Sequence, residues 1–306
     1  VSARSEFETL MARYLGRRFA VAVTSGTAGI LISLIALRPK RIIIPTFTFP
    51  SILAPIHLLR IRHRFVDIDP DTLNLHLPRN RRKYALIPHN FGLPTDARGA
   101  LVEDACAALG GSYAGIPCGG MGKVSIISFN PEKIFPLGDG GMVLTDDQVL
   151  YHRVRALAGY GVARIHGRID LYHPGLNLGM AEAVAREGVK GFPRFLNRVD
   201  RLRELRSAYL EGISGRVELP KVMPKAQPAP DQLVIRVRSD RIFAILERLR
   251  AAGFDATPLG TILPLIPYFD PHPPPPGASR AVREYLRIKI SLGRPRIQRL
   301  VDCLTL

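Results

Sequence analysis

The chain has 306 residues, 43 Lys plus Arg against 26 Asp plus Glu, and a formal charge of +17. With 46% apolar and 23% charged residues it is globular in composition, which excludes a disordered or collagen-like chain. The longest apolar stretch, Ala28 to Leu37, is about half of the ~20 residues a membrane-spanning helix needs. Arg4, Glu6 and Glu8 interrupt any signal-like start, so we expect a cytoplasmic protein without a membrane partner. Cys106, Cys118 and Cys303 cannot form a paired disulfide framework, and no metal-ligand spacing of Cys or His occurs.

Taken along the chain, Phe7, Leu10, Met11 and Leu15 recur at helical spacing and predict a helix over Glu6 to Leu15. Ala20 to Val23 reads as a strand that breaks at Ser25-Gly26-Thr27, and Ala28 to Leu37 as an apolar helix. Arg41 to Pro45 is a buried-type strand, followed by a helix over Ser51 to Leu59. Further strands are expected at Phe65 to Ile68, Ala85 to Pro88, Leu101 to Glu103, Val124 to Phe129 and Met142 to Thr145. Strands with continuous apolar runs, separated by helices, indicate an α/β domain around a mainly parallel sheet of about seven strands. Helical patterns run from Met180 to Gly191 and from Asn197 to Ile213.

The Pro-rich break from Pro220 to Pro230 divides a large domain, residues 1–219, from a small α+β domain, residues 220–306. The latter holds strands at Leu233 to Val237 and Leu286 to Ile290. Its helices fall at Arg241 to Ala252 and near Arg296. Pro271 to Gly277 reads as an exposed loop in polyproline conformation.

Basic residues cluster at Arg60, Arg62 and Arg64, at Arg79, Arg81, Arg82 and Lys83, and at Arg198, Arg201, Arg203 and Arg206. Most of this charge fits solvated faces. No nucleic-acid motif accompanies it, and an anionic small substrate or an acidic carrier protein would account for it equally well.

Three features carry chemistry. Ser25-Gly26-Thr27 lies between a strand and a helix, where backbone N–H groups form either a phosphate cradle or an ordinary cap. Glu103-Asp104 ends an apolar strand, the edge at which α/β sheets bind ligands, although a helix cap would look the same. Lys133 follows Ser128-Phe129-Asn130-Pro131-Glu132 and precedes Gly138-Asp139-Gly140-Gly141. Apolar Ile134, Phe135 and Leu137 surround it, so the amine can lose its proton and attack a carbonyl. A surface loop lysine is the plain alternative. A phosphate anchor, a carboxylate and a lysine together are what pyridoxal phosphate requires, whereas a nicotinamide or flavin cofactor would want a GxGxxG turn.

In these motifs the sequence resembles the DegT/DnrJ/EryC1/StrS family of pyridoxal-phosphate enzymes, mostly nucleotide-sugar aminotransferases of fold type I. The resemblance runs in order through FETLMARYLG (7–16), SGTA (25–28), PTFTFPS (45–51), VDIDPDTLN (66–74), HNFGLP (89–94) and EDACAALG (103–110). It continues through the Ser128 to Lys133 segment, GLNLGM (175–180), and Arg206, Ala208 and Tyr209. It implies that Lys133 is the Schiff-base lysine and proton shuttle, and that Asp104 holds the pyridine nitrogen protonated. Phe49 would stack on the ring. The Gly26 and Thr27 amides and the Ser128 hydroxyl would bind the phosphate. Asn177 would reach the phosphate from a neighbouring subunit of a homodimer.

The implied activity moves an amino group from L-glutamate or L-glutamine to a nucleotide-linked keto-sugar, in amino-sugar or natural-product biosynthesis. Ala107 stands where the family usually has Gln or His near the cofactor's phenolic oxygen, and Gly179 where an Arg is common. The C-terminal His-Tyr-x-Pro-Leu-His pattern is reduced to something like Thr257-Pro258-Leu259. These departures leave two other readings open: an aminotransferase for a non-sugar or carrier-bound ketone, and a degenerate homologue that binds or regulates an acidic partner.

Overall fold

The computed structural model describes residues 2–165, 168–171, 174–259, 261–262, 275–291 and 297–304. Helix α1 (Ala3–Tyr14) is capped by Ser2, whose hydroxyl accepts from the Ser5 N–H. Then come β1 (Phe19–Val23), α2 (Gly26–Leu37), β2 (Arg41–Pro45), β3 (Phe47–Thr48), α3 (Leu53–Leu58), β4 (Arg62–Val66) and α4 (Arg79–Arg82). Strands β5 (Leu86–Pro88), β6 (Val102–Asp104), β7 (Ser112–Tyr113), β8 (Ile116–Pro117), β9 (Val124–Ser128) and β10 (Gly141–Thr145) precede α5 (Gln148–Ala158) and the hairpin β11 (Val162–Ile165) and β12 (Arg168–Leu171). After α6 (Glu182–Gly212) the chain forms β13 (Ala226–Gln227), β14 (Gln232–Arg236), α7 (Ile242–Ala251), β15 (Ala256–Pro258) and β16 (Thr261–Ile262). It ends in α8 (Pro276–Glu284), β17 (Tyr285–Lys289) and α9 (Ile297–Leu304).

The central sheet is mixed. Five strands are hydrogen-bonded in the order β1-β10-β9-β6-β5, and the parallel pair β2-β4 lies beside β5. A single parallel bridge, Ile43 to Ala85, joins the two groups, so the expected seven strands are present as five plus two. Of these seven, β10 alone runs against the rest. Side chains alternate across the sheet with period two. Val21, Val23, Ile126 and Val143 face a core shared with α2, α3 and α5, while Ala20, Ala22, Ile127, Met142 and Leu144 face α1 and α6.

Two expectations need correction here. The third strand runs from Arg62 rather than Phe65, with Arg62 exposed and Arg64 beside it on an edge strand, where charge blocks further pairing. The two helices expected from Met180 and Asn197 are one helix that passes through Pro193. Proline inside a helix costs about 3 kcal/mol, but here the buried stripe Ala185, Gly188, Phe195, Val199 and Leu202 continues across it. Stacking of Phe195 on Phe135, with ring centroids 4.6 Å apart, adds to that packing.

The tail forms an antiparallel sheet, β14-β17-β15, backed by α7 and α9. It packs into the same apolar cluster as α1 and α6. A second attachment is Asp67, which follows β4 and caps α8 by accepting from the Gly277 N–H (2.7 Å) and the Ala278 N–H (3.1 Å). Of the expected polyproline loop, residues 271–274 lie outside the described residues, and Pro276-Gly277 open α8 instead. Proline at a helix start gives up an N–H that has no partner anyway. Arg296 also lies outside them, and the last helix begins at Ile297.

Candidate active site

A cavity of about 410 Å³ opens at the carboxyl ends of the parallel strands, lined by residues from both the sheet and the tail. Helix α2 starts at its wall. The Ser25 hydroxyl accepts from the Ala28 N–H (3.1 Å) and its carbonyl from the Gly29 N–H (3.0 Å). Ser25 is therefore a cap, while Gly26 and Thr27, in the first turn, carry amides without an intrahelical carbonyl. The cap leaves the Gly26 and Thr27 amides available to an anion. A Cβ at Gly26 would stand 2.9 Å from Cys106 Sγ and 3.2 Å from Ser128 Cβ, so the cradle needs glycine. Gly141 has the matching role on β10, since a Cβ there would lie 2.5 Å from the Ser25 carbonyl carbon.

Asp104 ends β6 between β5 and β9 and is 9% exposed. Its Oδ1 accepts from the Cys106 N–H (3.0 Å), which fixes the carboxylate at the cavity floor. Burial and the neighbouring Asp104 push the Cys106 thiol well up, which keeps it uncharged. Ser128 ends β9 next to the cradle, its hydroxyl accepting from the Asn130 N–H (3.4 Å). The Lys133 N–H bonds the Asn130 carbonyl (2.9 Å), and Nζ lies 3.7 Å from Glu132 Oε1. Phe49 follows β3 on a stretch held by Asn90, whose Nδ2 donates to the carbonyls of Phe47 (3.0 Å) and Leu73 (2.9 Å). Its ring is 69% exposed, an apolar face left bare at the cavity mouth.

Gly26, Thr27, Phe49, Asp104, Ser128 and Lys133 thus line one cavity. Asn177 does not. It is exposed and held by a bridge to Gly159. The glycine-lined helix start, the buried carboxylate and the lysine fit a phosphorylated pyridine aldehyde: anion at the amides, ring nitrogen at the carboxylate. Gly26→Ala is expected to weaken pyridoxal-phosphate binding at least roughly 10-fold, a cost of about 1.4 kcal/mol, as a fluorescence titration would read.

Glu103 turns out to be a structural group. Its Oε1 accepts from the Gly119 N–H (2.7 Å) and His89 Nε2 (2.9 Å), and its Oε2 from the N–H groups of Met121 and Gly122 and from Ser125 Oγ. The Thr95 N–H donates to His89 Nδ1, so the imidazole proton sits on Nε2 and faces the carboxylate. Burial works against its charge, but these donors win and hold the Glu103 carboxyl at about 2.

Four cavity residues come from the tail and escape a reading of the sequence: Asp231, Gln232, Arg287 and Lys289. A signal was present in the strand YLRIK, whose alternation puts Arg287 and Lys289 on one face. Burial lifts the Asp231 carboxyl from 3.8 to about 6, against the opposing pull of Lys289, Lys133 and Arg198. Between pH 4 and 6 the native state then holds a proton that the unfolded chain has released, so this residue's contribution falls as pH rises. Asp231→Asn is expected to raise the stability of the cofactor-free protein at pH 7.5 by roughly 2 kcal/mol. Thermal melts should show that advantage vanish by pH 4.

The family model for the DegT/DnrJ/EryC1/StrS aminotransferase family matches residues 2–83 and 93–292. The protein MJ1066 of Methanocaldococcus jannaschii is 33% identical over 52% of this chain and 46% of its own length. GDP-perosamine synthase of Escherichia coli O157:H7 is 27% identical over 71% of this chain and 64% of its own length. The matches therefore span about half to two thirds of these curated relatives. The sugar aminotransferase CalS13 from Micromonospora echinospora superposes with a TM-score of 0.86 at 26% identity, covering 99% of this chain and 91% of that one. With the family model matching nearly the whole chain, the chain belongs to the DegT/DnrJ/EryC1/StrS aminotransferase family, whose cofactor is pyridoxal phosphate.

Proposed function

We propose that this protein moves an amino group from L-glutamate or L-glutamine to a nucleotide-linked keto-sugar. The observation that carries the reading is the single cavity in which Lys133, Asp104, Ser128, Phe49 and the start of α2 meet. The similarity to GDP-perosamine synthase and to a sugar aminotransferase supports the sugar acceptor.

When bound, pyridoxal phosphate supplies an electron sink for the carbon that loses its proton. The Gly26 and Thr27 amides and the Ser128 hydroxyl hold the phosphate. Asp104, oriented by the Cys106 N–H, keeps a proton on the pyridine nitrogen. Phe49 covers the ring and excludes water from that face. Lys133 would hold the cofactor's aldehyde carbon, and its Nζ would take up and return the proton at the substrate carbon. The tail, residues 220–306, acts as a small unit that closes the cavity over this cradle through Asp231, Gln232, Arg287 and Lys289.

Asn177 is not among the residues lining its own chain's cavity, and in this reading it reaches the phosphate held by a second copy in a homodimer. Mixing Asn177→Ala with Lys133→Ala subunits tests that. In the mixed dimer one site combines an intact Lys133 with the partner's Asn177, so activity returns above either parent. No gain on mixing would place Asn177 outside the neighbouring site.

The acceptor is tested by incubating the holoenzyme with L-glutamate and nucleotide-linked 4-keto and 3-keto sugars, following products by mass spectrometry. Amino-sugar nucleotide and 2-oxoglutarate in equal amounts are expected. Turnover confined to free or carrier-bound ketones would contradict the sugar assignment.

A further inference from the structure

Strand β17 contributes two cations, Arg287 and Lys289, to the wall of the cavity. Leu286 and Ile288 are buried, and the alternate residues Arg287 and Lys289 line the cavity. The register sets Lys289 opposite Gln232, and Arg287 opposite Val234 on one side and Thr257 on the other. Lys289 Nζ donates to the Glu132 carbonyl, which places this strand against the loop that carries Lys133. Burial lowers the Lys289 ammonium from its ordinary value, with Asp231, Glu132 and Asp255 pulling the other way.

Among the described residues, neither Arg287 nor Lys289 forms an ion pair, and the Arg287 guanidinium has no hydrogen-bond partner. The Glu132 carboxylate is turned to Lys133, at 3.7 Å. A half-buried guanidinium without a counter-ion has lost part of its hydration and gained nothing in return. A planar ligand carboxylate would restore both, with two parallel hydrogen bonds to the guanidinium and a point charge at the ammonium.

We propose that Arg287 and Lys289 form a carboxylate-binding subsite that holds a substrate carboxylate while the reacting carbon lies at Lys133. This rests on the aminotransferase reading. The carboxylate belongs either to the amino-acid donor or to the acceptor, and the two half-reactions separate these sources.

The test uses holoenzyme carrying Arg287→Gln or Arg287→Lys, each half-reaction being followed by the cofactor's absorption. In the donor half-reaction, Arg287→Gln should raise the L-glutamate concentration for half-saturation by roughly 10- to 100-fold, with the limiting rate nearly unchanged. Arg287→Lys should recover part of that loss, and an amine donor without a carboxylate should be unaffected. A defect confined to carboxylated acceptors would assign the subsite to the acceptor. Wild-type saturation by every carboxylated donor and acceptor in Arg287→Gln would overturn the proposal. Glutarate binding by calorimetry reads the subsite without turnover. If the wild type transfers no amino group yet binds glutarate, and Arg287→Gln does not, the aminotransferase reading fails while the subsite stands. Equal glutarate binding in both proteins would overturn the subsite alone.

Discussion

Lys133→Ala is expected to lower turnover by at least roughly 10³-fold, because in the proposed reaction one side chain both anchors the cofactor and moves the proton. The geometry leaves no ready substitute. Lys289, the other lysine of the cavity, is tied to the Glu132 carbonyl, and Arg287 does not lose its charge. Borohydride reduction gives a readout independent of turnover. It should leave the cofactor's mass on the wild-type chain at Lys133 and none on the variant. Activity near that of the wild type, or a trapped cofactor on another residue, would remove Lys133 from its role.

Glu103→Gln should cost about 3–5 kcal/mol of stability, the usual loss when one member of a buried charged network is replaced. The carboxylate accepts from three backbone N–H groups, one hydroxyl and the His89 ring. A carboxamide would point its own N–H groups at one set of these donors. The sign of the pH dependence follows from the low Glu103 value. Its stabilisation is fully present above the ordinary 4.5 and is lost as pH falls toward about 2. Urea unfolding of the cofactor-free protein measures this directly. Asp104→Asn, one residue on, should instead weaken cofactor binding and leave the unfolding midpoint within about 0.5 kcal/mol of the wild type. A reversal of the two phenotypes would mean that the roles of these adjacent carboxylates have been exchanged.

That division between neighbours shows where sequence reading stops. That Asp104 ends an apolar strand was legible, and the structure puts it in the cavity; the strand at Arg41–Pro45 was legible to the residue. The continuous apolar runs separated by helices also specified a mainly parallel sheet, although a single bridge at Ile43 joins its two parts. Glu103 was not legible as an anchor, since its partners come from three separate places in the chain, His89 after β5, Gly119, Met121 and Gly122 before β9, and Ser125 on β9. Helix α6 hid behind Pro193 because the packing that carries it across comes from α1 and Phe135. Asp231 and Lys289 are far along the chain from the cavity residues of the sheet domain. Only the pairing of β14 with β17 brings them there. Asn177 belongs to a third class: its place in the motif is readable, but the site it is proposed to serve lies on another subunit.

The most direct test of the central claim uses the holoenzyme and L-glutamate with no acceptor present. The absorption of lysine-bound cofactor should give way to that of the amine form. One equivalent of 2-oxoglutarate per chain should be released, and a keto acceptor should restore the starting spectrum. A bound cofactor whose spectrum no amino donor changes, or a protein that binds no cofactor at all, would contradict it.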